Sequence, residues 1–237
     1  MPAPPPALEI SGLRFAWPAG RRGAGFALAV GELAIARGER VFLHGPSGSG
    51  KSTLLALICG ILAPQAGEIR LAGAPFSALS AARRDRMRAE RLGIVFQMFN
   101  LLPYASVLDN VLLPLAFAPE RARRVGPDRR AEARRLLAAL GLPEAALAAA
   151  SAARLSVGQQ QRVAVARALI GGPEIVVADE PTSALDAGTR AAFMDLLFAQ
   201  VAAAGATLLM VSHDAGLAAR FDRSLALDRI ARTEAAA

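Results

Sequence analysis

An α/β fold, with a mostly parallel sheet flanked by helices, is what three stretches of this 237-residue chain predict. Residues 39–45 (ERVFLHG) are a short apolar run of the length of a buried strand. STLLALICGIL, starting at Ser52, carries apolar residues at helical spacing, and a Gly-rich loop joins the two. Far downstream, IVVADE, Ile175 to Glu180, reads as a second apolar strand that ends in two acids. Just before it, QQQRVAVARALI has helical spacing and stops at Gly171-Gly172-Pro173.

Composition sets the outer bounds. Hydrophobic residues are 54% and charged residues 20%, a globular balance in a chain long enough for one large domain or two small ones. Cys59 is the one cysteine, so no intrachain disulfide forms, which fits a reducing compartment. MPAPPPALEI is a Pro/Ala tail followed by a strand-like start, and no secretory leader is expected. The longest nearly uncharged run, Leu92 to Pro119, is broken by Gln97, Asn100, Pro103, Asp109 and Pro114, so no membrane span is expected. The mean hydropathy is positive, which Ala-rich helices partly explain and an apolar docking face would also produce. The net charge of +7 rests on 27 basic residues, all but one of them arginine. The runs Arg83–Arg91 and Arg121–Arg135 read as solvated helix faces. No aromatic residue interleaves with them, and no nucleic-acid partner is expected.

The single lysine, Lys51, lies in GPSGSGKST: Gly45, Pro46, Ser47, Gly48, Ser49, Gly50, Lys51, Ser52, Thr53. This matches G-x-x-x-x-G-K-[ST] between a strand and a helix, the context the pattern requires. Glycines let backbone amides turn inward as an anion nest, and the helix start adds its dipole. A compact ammonium reaches β- and γ-phosphates where a planar guanidinium fits poorly. Ser52 offers a hydroxyl to Mg²⁺. The loop therefore predicts a bound nucleoside triphosphate. Asp179 at the end of IVVADE suits the Mg²⁺ shell, and Glu180 suits a base that orients the attacking water.

LSVGQQQRV, Leu155 to Val163, adds a second anion-receptive helix start, with Ser156 as its N-cap and Gly158 offering a bare amide. Two phosphate elements serve one nucleotide when two chains face each other. One chain holds the triphosphate and the other closes over its γ-phosphate.

That arrangement, with the motifs in order, resembles the ATP-binding cassettes of ABC transporters. GPSGSGKST resembles Walker A, IVVADE resembles Walker B, and LSVGQ, with Ser156, Val157, Gly158 and Gln159, resembles the signature motif, usually LSGGQ. The resemblance implies that Gln97 in IVFQ is the Q-loop glutamine, a Mg²⁺ sensor that meets the membrane partner. It makes Ser183, Ala184, Leu185 and Asp186 the D-loop at the dimer interface, and His213 in LMVSHD the switch histidine on the γ-phosphate. Trp17 in RFAW falls where the family stacks an aromatic under adenine. Read without the family, Trp17 is an ordinary packed aromatic and His213 a core histidine. His44 reads as packing at a strand end and Cys59 as a small buried hydrophobe.

The implied fold is a P-loop NTPase, RecA-like core with an N-terminal antiparallel β subdomain and an α-helical signature subdomain. It is expected as one domain over 8–230, with the helical part at about 98–168 and flexible tails at 1–7 and 231–237. The implied activity is ATP hydrolysis with Mg²⁺. An ATP-bound homodimer would energise a separate integral membrane permease from the cytoplasmic side of the inner membrane, peripherally. RDRMRAERLGIVFQMFNLLPYASVLDNVLLPL resembles the lipoprotein-release, macrolide-export and cell-division group of cassettes (LolD, MacB, FtsE). An FtsE-like ATPase that transmits force without transport is the alternative, and a soluble cassette is a third reading. The sequence departs from the family pattern at Val157, which replaces the first signature glycine. A β-branched residue there is strained if φ is positive and tolerated if φ is negative. The usual proline before the signature is absent, and Asp228-Arg229 stands where an Asp-Gly turn is expected.

Overall fold

The structure, a computed structural model, describes residues 4–17, 25–147, 151–183 and 185–236. In chain order the elements are β1 (Leu8–Trp17), β2 (Gly25–Ile35), β3 (Arg40–His44), α1 (Lys51–Ile58), β4 (Ala66–Leu71), β5 (Ala74–Pro75) and α2 (Ala81–Arg91). Then come β6 (Leu92–Val95), α3 (Val107–Leu112), α4 (Pro119–Val125), α5 (Arg129–Ala139), α6 (Glu144–Leu147) and α7 (Val157–Leu169). The chain closes with β7 (Ile175–Asp179), α8 (Ala187–Ala203), β8 (Thr207–Val211), β9 (Arg223–Ala226), α9 (Leu227–Ile230) and β10 (Ala231–Ala236). They divide into two compact units, one of residues 1–88 with 209–237 and one of residues 89–208.

The first unit holds an antiparallel sheet in the order β10-β2-β1-β4-β5. Alternating side chains of β1 and β2 (Leu8, Ile10, Leu13, Phe15, Leu28, Val30, Leu33, Ile35) turn to one buried face, the period-two pattern of a sheet covered on one side. The same unit carries β3, whose Val41, Phe42 and Leu43 are all buried, paired in parallel with β9 from Val41 opposite Arg223 to His44 opposite Ala226. A strand apolar on both faces, joined to its neighbour in parallel, is the sequence's parallel-sheet signature realised.

The second unit pairs β6 with β7 in parallel, from Leu92 opposite Ile175 to Val95 opposite Ala178. Helices α3 to α8 surround this pair in the chain, and Val107, Val111, Leu136, Leu137, Val163, Ala164, Val165 and Ala166 form their buried apolar contacts. The Ala-rich composition of α5 and α7 lets helices approach closely while costing little side-chain entropy.

Described residues of both expected tails are held in place, while 1–3 and 237 lie outside the described residues. Residues 231–237 read as a tail, yet Ala231–Ala236 pair antiparallel with β2, from Ala231 opposite Val30 to Ala236 opposite Gly25. Backbone N–H and C=O groups satisfy the open edge of β2, so the strand needs no apolar pattern for a sequence reading to detect. Ahead of β1, Ala7 is buried, donates to the Ile35 carbonyl at 2.9 Å and accepts from the Ala72 amide at 2.8 Å. The basic run at α2 does read correctly as a solvated face, with none of its residues buried. The run at 121–135 does not, because Arg121 is 1% exposed.

Candidate nucleotide site

The first unit builds the phosphate loop. β3 ends at His44, whose ring stacks on Phe42 with centroids 5.8 Å apart, and the chain turns through Gly45–Gly50 into α1. Pro46, Ser47 and Gly48 are exposed at the crest of the loop, as is Ser52 in the first turn of the helix, while Thr53 is half-buried. Gly50 is the N-cap of α1, with φ 97° and ψ 9°. A Cβ on it would stand 2.7 Å from Cζ of Phe26 and 3.4 Å from Cδ1 of Leu28, so both backbone angle and space demand glycine. No acidic residue lies in the first turn of α1, which leaves the positive end of the helix for an anion. The Lys51 ammonium lies across the loop and donates to the carbonyls of Gly45 and Pro46, each at 2.8 Å. Ser49 Oγ is buried with no hydrogen-bond partner among the described residues, 3.0 Å from where a Gly45 Cβ would sit. A buried orphan hydroxyl inside a glycine-lined turn fits a site completed by ligand oxygens.

Two further groups of interest belong to this unit. Trp17 closes β1, is 45% exposed, and meets Phe15 edge-on with centroids 5.1 Å apart. Its register partner on β2 is Phe26, the same ring that leans on Gly50. His213 is exposed on the turn after β8. Its neighbours fix that turn: Asp214 N–H donates to Ser212 Oγ at 3.2 Å, and Gly216 N–H donates to Asp214 Oδ1 at 3.0 Å.

The second unit carries the remaining groups. Gln97 is exposed two residues past β6, and next to it Met98 is 81% exposed. Phe99 and Asn100 follow with φ of 58° and 49°, an uncommon left-handed pair. Asp179 ends β7, and Glu180 adopts φ 48°, so the strand breaks sharply at the second acid. Sparsely populated backbone at the residue the sequence marks as a candidate base is the pattern expected of a positioned functional group. Ser183 N–H donates to the Glu180 carbonyl at 3.2 Å and Leu185 N–H to that of Thr182 at 3.1 Å, closing the turn of the expected D-loop. Ala184 lies outside the described residues. Asp186 caps α8 by accepting from Thr189 N–H at 3.0 Å, and that amide, with the Thr189 hydroxyl, holds its carboxyl below the usual carboxylate range.

At the signature, Ser156 is the N-cap of α7 in a capping box. Gln159 N–H donates to Ser156 Oγ at 3.3 Å, and Ser156 N–H donates to Gln159 Oε1 at 3.0 Å. Val157 is the first helical residue, is absent from the positive-φ residues and is 48% exposed, so it bears no backbone strain. At Gly158 an added Cβ would meet only Leu185 Cδ2, at an ordinary 3.9 Å.

Three anchors, two on α7 and one on α4, escape sequence reading. The buried Gln161 amide donates to the Pro181 carbonyl, one residue past Glu180. Arg167 donates to the Phe99 carbonyl and, at 2.7 Å, to that of Asn100, just past Gln97, and burial lowers its pKa. Arg121 of α4 reaches the far end of the helix. It donates to the carbonyls of Ala168 and Ile170, each at 2.8 Å, and to those of Leu92 at 3.1 Å and Ala89 at 3.2 Å. Helical spacing marks these residues as part of an α7 or α4 face, but nothing in the sequence says which loop a long polar side chain will meet. Alongside them, Gly93 of β6 lies so near α7 that a Cβ there would sit 2.3 Å from the Ala168 carbonyl oxygen.

A family model described as ABC transporter matches residues 29–183. The chain is 46% identical over 193 residues to the lipoprotein-releasing system ATP-binding protein LolD 2 of Rhodospirillum rubrum, covering 81% of each chain. It is 39% identical over 236 residues to the macrolide export ATP-binding/permease protein MacB of Rhodopseudomonas palustris, covering 97% of this chain and 35% of that one. Among solved structures, the dimeric post-hydrolysis state of the ATP-binding cassette MJ0796 bound to ADP and Pi superposes with a TM-score of 0.80 at 36% identity, over 92% of this chain and 93% of that one.

Proposed function

This chain belongs to the ABC transporter family and is an ATP-binding, ATP-hydrolysing subunit of that kind, and we propose that it works as a homodimer closing on two MgATP. The observation that carries this reading is the pair of anion-receptive helix starts. α1 lies behind the Gly50–Lys51 loop and α7 behind the Ser156 cap, and neither has an acid in its first turn. The MJ0796 cassette, dimeric with ADP and Pi, supports the two-chain form.

In this scheme the loop amides and Lys51 hold the β- and γ-phosphates, with Trp17 under the adenine. The partner subunit's Ser156 and the partner subunit's Gly158 close over the γ-phosphate. Glu180 orients a water in line with the γ-phosphorus and takes its proton as the new P–O bond forms. The bond to the β-phosphate oxygen breaks, and ADP and phosphate remain. His213 and Lys51 face the charge that develops on the γ-oxygens. Bound Mg²⁺ would neutralise phosphate charge. Ser52, Gln97 and Asp179 would offer it the oxygen ligands that such a hard cation takes. ATP binds the closed dimer more tightly than the open one, so hydrolysis reopens it and the cycle does work on a partner. No helix among the described residues is long and apolar enough to cross a membrane. In our reading the work is delivered to a separate integral membrane permease, with the chain peripheral on the cytoplasmic face. The MacB name, which joins ATP-binding and permease, supports that kind of partner. Gln97 with the exposed Met98, Tyr104 and Phe117 is the docking surface.

A tagged Glu180→Gln chain tests the scheme. It is expected to bind ATP, elute as a dimer, release no phosphate, and recover an integral membrane protein from detergent-solubilised membranes. A variant that stays monomeric with ATP and still hydrolyses it, or that recovers only soluble partners, overturns the reading.

A further inference from the structure

The end of β1 is held on one side by a strand and on the other by a side chain. β2 supplies the strand, with Ala16 opposite Ala27 and Trp17 opposite Phe26. On the far side β4 pairs with β1 only up to Arg14 opposite Ala66. Beyond that point Gln65 takes over. Its backbone N–H donates to the Arg14 carbonyl at 2.9 Å. Its side chain accepts from Ala16 N–H at 2.8 Å through Oε1 and donates to the Ala16 carbonyl at 3.2 Å through Nε2. A primary amide offers the same donor and acceptor as a peptide group, so Gln65 acts as one more rung of the ladder. That rung falls on the residue immediately before Trp17.

We propose that Gln65 is a positioning residue for the adenine platform: its amide fixes the backbone at Ala16, and so the direction of the Trp17 ring, before the base arrives. The proposal rests on reading Trp17 as the stacking surface. Both bonds are exposed and exchange readily with water, so their contribution to overall stability is small. What they remove is rotational freedom at the peptide that aims the indole. A stacking ring fixed in advance loses less entropy when its ligand binds. The Lys51 ammonium does not share this support. Lys51 and the loop carbonyls make their contacts among themselves. Gln65 therefore governs the base and not the phosphates.

The experiment compares MgADP with Mg-pyrophosphate, which share phosphates and differ by the adenosine, on three full-length chains: the parent, Gln65→Leu and Trp17→Ala. Binding is measured calorimetrically, and ring motion is read from the nanosecond fluorescence anisotropy of Trp17, the one tryptophan in the chain. In Gln65→Leu, MgADP affinity is expected to fall by about three- to tenfold, the worth of an aromatic stack, while pyrophosphate affinity stays the same. Its Trp17 anisotropy should fall as well. Equal loss for both ligands, or no loss of MgADP affinity while Trp17→Ala loses it, overturns the positioning role and leaves Trp17 as the platform. Unchanged MgADP affinity in Trp17→Ala removes the platform itself, and the role of Gln65 with it.

Discussion

Replacing Arg121 with methionine is the sharpest test of how the second unit is held together. The guanidinium is 1% exposed and donates to four backbone carbonyls, those of Ala89, Leu92, Ala168 and Ile170. Burial, and then the like charge of Arg124, lowers its pKa to about 10, against a smaller opposing pull from Glu90. At 1.36 kcal/mol per unit, holding the charge there costs about 3 kcal/mol. Methionine fills much of the volume and removes that cost, but it leaves four carbonyls without their donor. At about 1.5 kcal/mol for each orphaned group, toward the low end of the usual range of about 1–3 kcal/mol, the lost bonds amount to about 6 kcal/mol and the net destabilisation to about 3 kcal/mol. For a chain of this size that is a fall in Tm of about 6–12 °C, measured by thermal unfolding followed by circular dichroism. Arg121→Lys, with a single ammonium that can reach fewer of the four oxygens, should fall between the two. A methionine variant melting with the parent would refute the reasoning, because it would mean that water satisfies those carbonyls and the buried cation holds nothing.

Two more outcomes follow from the loops. Gly50→Ala places a Cβ 2.7 Å from the Phe26 ring at φ 97°, so ATP affinity should drop at least about tenfold, as nucleotide titration would show, through a strained phosphate loop. Val157→Gly should change turnover in a phosphate-release assay with Tm nearly constant, because the valine is exposed and unstrained. If both turnover and ATP affinity are unchanged, Val157 does not tune the reaction.

Much of this molecule is legible in the chain, and the parts that are not have a common cause. The phosphate loop is readable because one lysine, three glycines (Gly45, Gly48 and Gly50) and a strand-to-helix transition coincide in a few residues. The Ser156 cap and the α7 helix behind it are readable because capping is a local contract between positions three apart. β10 is not, since its pairing uses backbone atoms that every sequence shares. Arg121 is not either: in a run with many arginines, which one turns inward is decided by helix packing that the run does not encode. Gln65 is hidden for a different reason. Its partner, Ala16, is 49 residues away and contributes only main-chain atoms.

The contact at Gly93 has a mechanical consequence. Most neighbouring elements touch through side chains, whose rotamers give under load and act as washers between moving parts. Here β6 and the last turn of α7 meet main chain to main chain, with 2.3 Å between the Ala168 oxygen and the place where a side chain would begin. A joint without washers has no backlash. A push applied at Gln97, two residues beyond β6, reaches the helix that begins at the signature with nothing soft in between to absorb it. The joint transmits in both directions, so whatever closes at Ser156 also pulls on the segment proposed to meet the membrane partner.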